Sequence, residues 1–201
     1  TFKIILAATA LENNLCSPQQ SFYCYNGSYK IKDREITDDH PHGYLTFEEI
    51  VIYSSNIGAA KIGERLGKTR FYQGIKRFGF GTPTNLGLPG EEIGIVNPLN
   101  KWSVVSLAYL SYGYEIAVTP IQMTRAFNAI AADGDLIEPY IVKGIDGAVL
   151  KRPAKQSILS PGTVLRMKAI MEEVVEQGTG KTTRIEGIPI AGKTGTSKII
   201  S

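Results

Sequence analysis

The chain has 201 residues, 43% of them apolar and 20% charged, with a formal net charge of +3. These figures fit one globular domain or slightly more and exclude a disordered or low-complexity chain. So mild a charge gives no ground for a nucleic-acid partner, and the longest apolar stretches, residues 4–11 and 104–110, are too short to cross a bilayer.

Residues 1–14 predict a helix that is apolar nearly all round, through Ile4, Ile5, Leu6, Ala7, Ala8, Ala10 and Leu11. Such a helix belongs at the centre of a domain. Lys3 stands in its first turn, where the helix dipole disfavours a cation. Cys16 and Cys24 follow, and their spacing leaves a disulfide and two free thiols equally open. Residues 27–38 alternate around Lys32-Asp33 as a small hairpin. His40 and His42 bracket Pro41 in a loop beside Asp38 and Asp39, and no helical acid–histidine or cysteine pattern completes a metal site.

Thr46-Phe47-Glu48-Glu49 is a capping box that opens a short helix running into Ser54-Ser55-Asn56. A second helix extends to Leu66 before Gly67, and a third covers 69–78 before Gly79. Residues 79–100 carry no period and form a long loop, of the kind that is functional or pinned by contacts. Residues 101–110 predict a helix, with Trp102 in the core or a groove lining. Thr119-Pro120-Ile121-Gln122 opens another helix that ends near Gly134. Residues 138–145 alternate like a strand, and Ser160-Pro161 starts a last helix to about Gln177. Residues 188–196 predict a strand carrying Lys193-Thr194-Gly195-Thr196. One strand alone is not stable, so its partners are expected outside the chain or in the Glu138 region.

Gly178-Thr179-Gly180-Lys181-Thr182-Thr183 imitates a phosphate loop, but Val175 stands where the first glycine is needed and a helix, not a strand, precedes it. The chemistry lies in three other places. A serine directly before Thr1 is expected to complete S-x-x-K with Lys3; Ser54-x-Asn56 and Lys193-Thr194-Gly195 then follow in order. A serine hydroxyl needs a neighbouring base, and a lysine one helical turn away can serve if burial and nearby cations leave it neutral. Ser54 can pass the proton to a leaving amine, and Asn56 can orient Lys3 and bond a substrate amide. Ser-Ser-Asn is also an ordinary helix cap. Lys193 would attract a substrate carboxylate, which Thr194 and Thr196 can bond, while Gly195 leaves room for an extended peptide. The backbone N–H groups of Thr196 and the expected serine would form an oxyanion hole. Without that serine the chain itself is expected to be inert.

Together with these motifs, several segments resemble landmarks of the class B penicillin-binding proteins: His40-Pro41-His42-Gly43, Tyr53-Ser54-Ser55-Asn56-Ile57-Gly58, Arg77-Phe78-Gly79-Phe80-Gly81, Gly87-Leu88-Pro89-Gly90-Glu91, Lys101-Trp102, Val118-Thr119-Pro120-Ile121-Gln122 and Ala191-Gly192-Lys193-Thr194-Gly195-Thr196. The division-type branch fits better than the elongation type. The resemblance implies an α+β fold of the penicillin-binding protein and serine β-lactamase type, an antiparallel sheet flanked by helices beside a helical lobe. Residues 1–201 would be a partial transpeptidase domain, beginning inside S-x-x-K and ending just after the K-T-G strand. The implied reaction is D,D-transpeptidation of peptidoglycan stem peptides through an acyl-enzyme that β-lactam antibiotics imitate. Lys3 would be the base, Ser54 and Asn56 the second motif, and Lys193, Thr194, Gly195 and Thr196 the third. No cofactor or metal is implied. The parent protein would be anchored in the inner membrane, its catalytic domain extracytoplasmic, among cell-wall synthesis partners. Relatives with the same motifs remain as alternatives: a β-lactamase, a D,D-carboxypeptidase, a β-lactam sensor, or a non-catalytic scaffold. The first is disfavoured because no deacylating glutamate stands out in the sequence.

Overall fold

A helix that is apolar on every side must be covered on every side, and α1 (Lys3–Glu12) is. The computed structural model, which describes residues 1–150 and 154–195, buries every residue of α1 from Lys3 to Ala10. Around it lie α2 (Phe47–Ile52), α3 (Asn56–Leu66), α4 (Lys68–Arg77) and α5 (Ser106–Tyr112). The sixth helix, α6 (Pro120–Ala131), rests on α7 (Pro161–Glu176), and α7 closes the remaining side of α1. Close approach of α4 depends on Gly74, where a Cβ would overlap the side chain of Thr9. The buried Thr9 hydroxyl is satisfied within its own helix, donating to the Ile5 carbonyl at 2.6 Å.

The described strands form five antiparallel pairs. β1 (Ser21–Tyr23) pairs with β4 (Tyr44–Thr46), and between them β2 (Ser28–Ile31) and β3 (Arg34–Thr37) make the expected hairpin about Lys32 and Asp33. β5 (Ile95–Val96) pairs with β6 (Ile116–Ala117). β7 (Asp135–Ile137) takes β10 (Lys155–Ser157), and β8 (Gly144–Ile145) turns back on β9 (Ala148–Val149). The α+β class and the order of the helices follow the sequence reading.

Both capping boxes form. Thr46 and Glu49 exchange hydrogen bonds at the start of α2, and Thr119 and Gln122 do so at the start of α6. Gln122 is buried and also reaches beyond its own helix, where its Nε2 donates to the carbonyls of Thr82 and Ile93, both at 3.0 Å. Those bonds pin the long loop, which Lys76 also anchors through the Phe80 and Gly81 carbonyls.

Three expectations need correction. The helix placed at 101–110 begins only at Ser106, because Ser103 and Ser106 exchange hydrogen bonds that set its start there. Trp102, ahead of it, is buried and donates to the Asn97 carbonyl. Of the strand placed at 138–145 only its end forms, as β8 (Gly144–Ile145); the longer strand lies just ahead of it at Asp135–Ile137, since Pro139 has no N–H to offer a ladder. The strand placed at 188–196 does not form among its described residues, 188–195, which carry one isolated bridge between Ile185 and Ile188. Its candidate neighbour near Glu138 is already paired with β10. Cys16 and Cys24 are both buried free thiols.

Candidate active site

The turn between α2 and α3 brings the second motif to Lys3. α2 ends in two backbone bonds, from Ser54 N to the Val51 carbonyl and from Ser55 N to the Ile50 carbonyl. That pattern requires a left-handed residue just past the helix end, a place where glycine is the usual occupant. Here it is Ser54, at φ 60°. Ser55 then caps α3, its Oγ accepting from Gly58 N at 2.8 Å. The side chains on either side of the cap, Ser54 and Asn56, turn towards the first residue of α1.

The ammonium of Lys3 donates to Asn56 Oδ1 at 2.7 Å and to Ser54 Oγ at 3.2 Å. The Asn56 amide is oriented by its other end, where Nδ2 donates to the Thr37 carbonyl at 2.9 Å and so leaves the oxygen facing Lys3. Lys3 is 7% exposed. Burial, and next the charge of Lys193, pull its pKa from 10.5 down to about 7, with Asp38 and Asp39 opposing. The first turn of α1 holds no acidic residue to restore it.

The third motif approaches from the other side. Thr179 N donates to the Ile52 carbonyl and Gly180 N to the Val174 carbonyl, which fixes residues 178–180 between α2 and α7. Thr179 Oγ1 then shares a 2.7 Å hydrogen bond with Thr194 Oγ1. The Thr1 nitrogen donates to the Thr194 carbonyl at 3.1 Å, and Gly195 lies against the Thr1 side chain. Lys193 Nζ donates to its neighbour's Oγ1 at 3.2 Å and its carbonyl at 3.4 Å, and burial lowers its pKa to about 8. The structure thus brings Lys3, Ser54 and Asn56 into direct contact, and sets Lys193, Thr194 and Gly195 beside the start of α1. Thr196 lies outside the described residues.

Two participants carry no signal for this role in the sequence. Asp38, which there stands out only as a neighbour of the histidines, binds residues 55–57, and Thr179, inside the false phosphate loop, bonds Thr194. Neither is marked locally, since both act across long chain separations. His42 stacks on Tyr53, ring centroids 5.5 Å apart, directly before the second motif. A cleft of about 580 Å³ opens from Asn56 and Thr37 between the rings of Tyr109, Tyr112 and Tyr114. The site can hold a neutral amine beside a hydroxyl, with a second cation a short way off, an arrangement suited to deprotonating an alcohol and binding an anionic peptide end.

Comparison with known proteins gives a consistent result. All of residues 1–201 match the family described as penicillin binding protein transpeptidase domain. The chain is 34% identical to penicillin-binding protein PbpB of Mycolicibacterium smegmatis, over 99% of this chain and 33% of that protein. It is 31% identical to the peptidoglycan D,D-transpeptidase FtsI of Escherichia coli, over 98% of this chain and 33% of that one. The crystal structure of penicillin binding protein 3 from Mycobacterium tuberculosis, complexed with aztreonam, superposes with a TM-score of 0.91 at 32% identity, covering 100% of this chain and 48% of that one. The chain therefore spans about a third of the length of these curated relatives. Among the described residues no helix is long and apolar enough to cross a membrane.

Proposed function

The chain belongs to the transpeptidase-domain family of class B penicillin-binding proteins, and from that premise we propose that the protein is a peptidoglycan D,D-transpeptidase working through a serine acyl-enzyme. The nucleophile is a serine directly before Thr1 in the parent protein, one helical turn from Lys3. Neutral Lys3 takes the proton from that hydroxyl as the oxygen attacks the carbonyl between the two terminal D-alanines of a stem peptide. The carbon–nitrogen bond breaks, and D-alanine leaves with a proton relayed from Lys3 through Ser54. The amine of a neighbouring stem then attacks the ester, gives up its proton along the same path, and releases the serine. Lys193 and Thr194 receive the donor carboxylate, and Asn56 holds both Lys3 and the donor amide.

The observation that carries this reading is the buried Lys3 ammonium, bonded at once to Ser54 and Asn56 and brought to a pKa of about 7. A lysine of this kind is neutral in half of the molecules near pH 7, as a general base requires. β-Lactams would occupy the donor's place, as the aztreonam complex of the M. tuberculosis relative suggests. The parent protein is membrane-anchored with its catalytic domain outside the cytoplasm, where it works with other cell-wall synthesis proteins. The division-type role agrees with relatives such as FtsI and the stage V sporulation protein D of Bacillus subtilis.

Incubating the full-length protein with a penicillin, followed by intact mass and peptide mapping, tests the proposal. An adduct that persists for many minutes on the residue before Thr1 is the expected result. Rapid turnover without an adduct would mean a β-lactamase, and no reaction in a folded protein would leave a scaffold.

A further inference from the structure

One carboxylate engages three consecutive residues, the last two of the second motif and the one that follows them. Asp38 Oδ2 accepts from Ser55 Oγ at 2.6 Å, while Oδ1 accepts from the backbone N–H of Asn56 at 2.5 Å and of Ile57 at 3.1 Å. We propose that Asp38 is a positioning residue of the transpeptidation site, fixing the 54–56 turn so that Ser54 Oγ and Asn56 Oδ1 both face Lys3. The inference rests on the transpeptidase reading above, because acylation is its readout.

The bonds exceed what starting a helix needs. Ser55 already caps α3 through Gly58 N. Asp38 adds a second cap from outside the helix, held in place because its own N–H donates to the Gly27 carbonyl at the end of the β2–β3 hairpin. The preceding residue grips the same asparagine from the side, since the Thr37 carbonyl takes Asn56 Nδ2. Backbone and amide of Asn56 are thus tied to two neighbouring residues of one strand end, which leaves its oxygen a single direction. Ser54 is left-handed, a conformation that persists in a non-glycine residue only where the surroundings dictate it. The bonds that end α2 hold it from one side, and the carboxylate that locks Ser55 and Asn56 holds it from the other.

Asp38 also acts by charge. The charged groups facing Lys3 are Lys193 on one side, and Asp38 and Asp39 on the other. Asp39 contributes to the field without the bonds to 55–57, so the two aspartates separate charge from geometry.

The test measures the second-order rate constant for acylation of the full-length protein by a fluorescent penicillin, from pH 5.5 to 9.5, with melting temperatures alongside. In Asp38→Ala the plateau rate, taken as the maximum of the pH profile, should fall by about tenfold or more. Asp38→Asn keeps an oxygen for the two amides and a donor for Ser55, so it should recover most of the plateau. Having lost the charge, it should also reach that plateau at lower pH. Asp39→Asn should move the acid limb the same way with the plateau intact. A plateau in Asp38→Ala within twofold of wild type would reduce Asp38 to a helix cap and overturn the proposal, whatever the melting temperature. If Asp38→Ala does not fold, Asp38→Glu decides, since it keeps the charge but displaces the oxygens that bond Ser55, Asn56 and Ile57: a plateau within twofold of wild type overturns the proposal. A wild-type protein that is never acylated would instead sink the transpeptidase reading itself.

Discussion

Replacing Lys193 with Gln in the full-length protein tests how the site turns a lysine into a base. Lys3 is held near pH 7 first by burial and second by the Lys193 charge, against the pull of Asp38 and Asp39. Two like charges sharing a partly wet site interact by on the order of 1–2 kcal/mol, about one pKa unit. Removing Lys193 should therefore carry Lys3 from about 7 to about 8. At pH 7 the neutral fraction drops from about one half to about one tenth, a loss of about fivefold in acylation rate. This comes on top of a loss from weaker attraction of the substrate carboxylate. Lys193, held at about 8 by its burial, sheds its own proton as pH rises, so the wild-type profile should be a narrow bell whose limbs belong to the coupled pair. The variant should show a single limb, displaced upwards. Stopped-flow acylation between about pH 6 and pH 9 would show the wild-type-to-variant ratio shrinking towards the alkaline end. A ratio constant across that range would refute the electrostatic coupling and leave Lys193 a carboxylate anchor only.

Lys3→Met should slow acylation by about 10²–10⁴-fold in the same assay. It should also change how stability depends on pH. The folded pKa of Lys3 is about 7 against an ordinary 10.5, so between those values the unfolded chain binds the extra proton. Wild-type stability should therefore rise with pH across that window and be lowest below 7, diverging from Lys3→Met by up to a few kcal/mol in urea unfolding; parallel slopes would contradict a depressed lysine. Ser54→Gly relieves a left-handed serine and should leave the melting temperature equal or higher, while acylation falls by about tenfold or more; a lower melting temperature would deny the strain. Gly74→Ala forces a Cβ onto Thr9 at the contact of α1 with α4 and should cost about 1–3 kcal/mol by chemical denaturation.

Most helices were legible because their signals are local. The capping boxes at Thr46 and Thr119, the stops at Gly67 and Gly79, and the apolar run of α1 each depend on a few neighbouring residues. The strands were less so. Alternation over 138–145 could not show that Pro139 shifts the pairing back to Asp135–Ile137, nor that Lys155–Ser157 is the partner. Residues 188–195 have the composition of a strand, but a strand exists only where another lies alongside, and composition cannot supply the neighbour. Within the site, Lys3, Ser54, Asn56 and Lys193 could be named from motif order. Asp38 and Thr179 could not, because each meets its partner through the folded chain, from 18 residues away between Asp38 and Asn56 and from 15 between Thr179 and Thr194.

Ser-Ser-Asn read in sequence as either a helix cap or a catalytic element, and the geometry makes these one device. Ser55 is the cap. Because the cap residue is extended, and the residue before it left-handed, the flanking side chains are thrown to the same side. A glycine at position 54 would make the turn more easily and lose the hydroxyl; a longer connection would lose the register between the hydroxyl and the amide. The motif therefore needs a single residue between its two functional groups, and that residue has to hold the helix. The same logic explains why the anion beside Lys3 belongs to Asp38. A carboxylate in direct contact with Lys3 would keep it protonated and useless as a base. With its oxygens taken up by Ser55, Asn56 and Ile57, Asp38 instead acts on Lys3 at one remove. Burial and Lys193 can then outweigh it, bringing the lysine to about 7 and leaving it free to exchange a proton with Ser54.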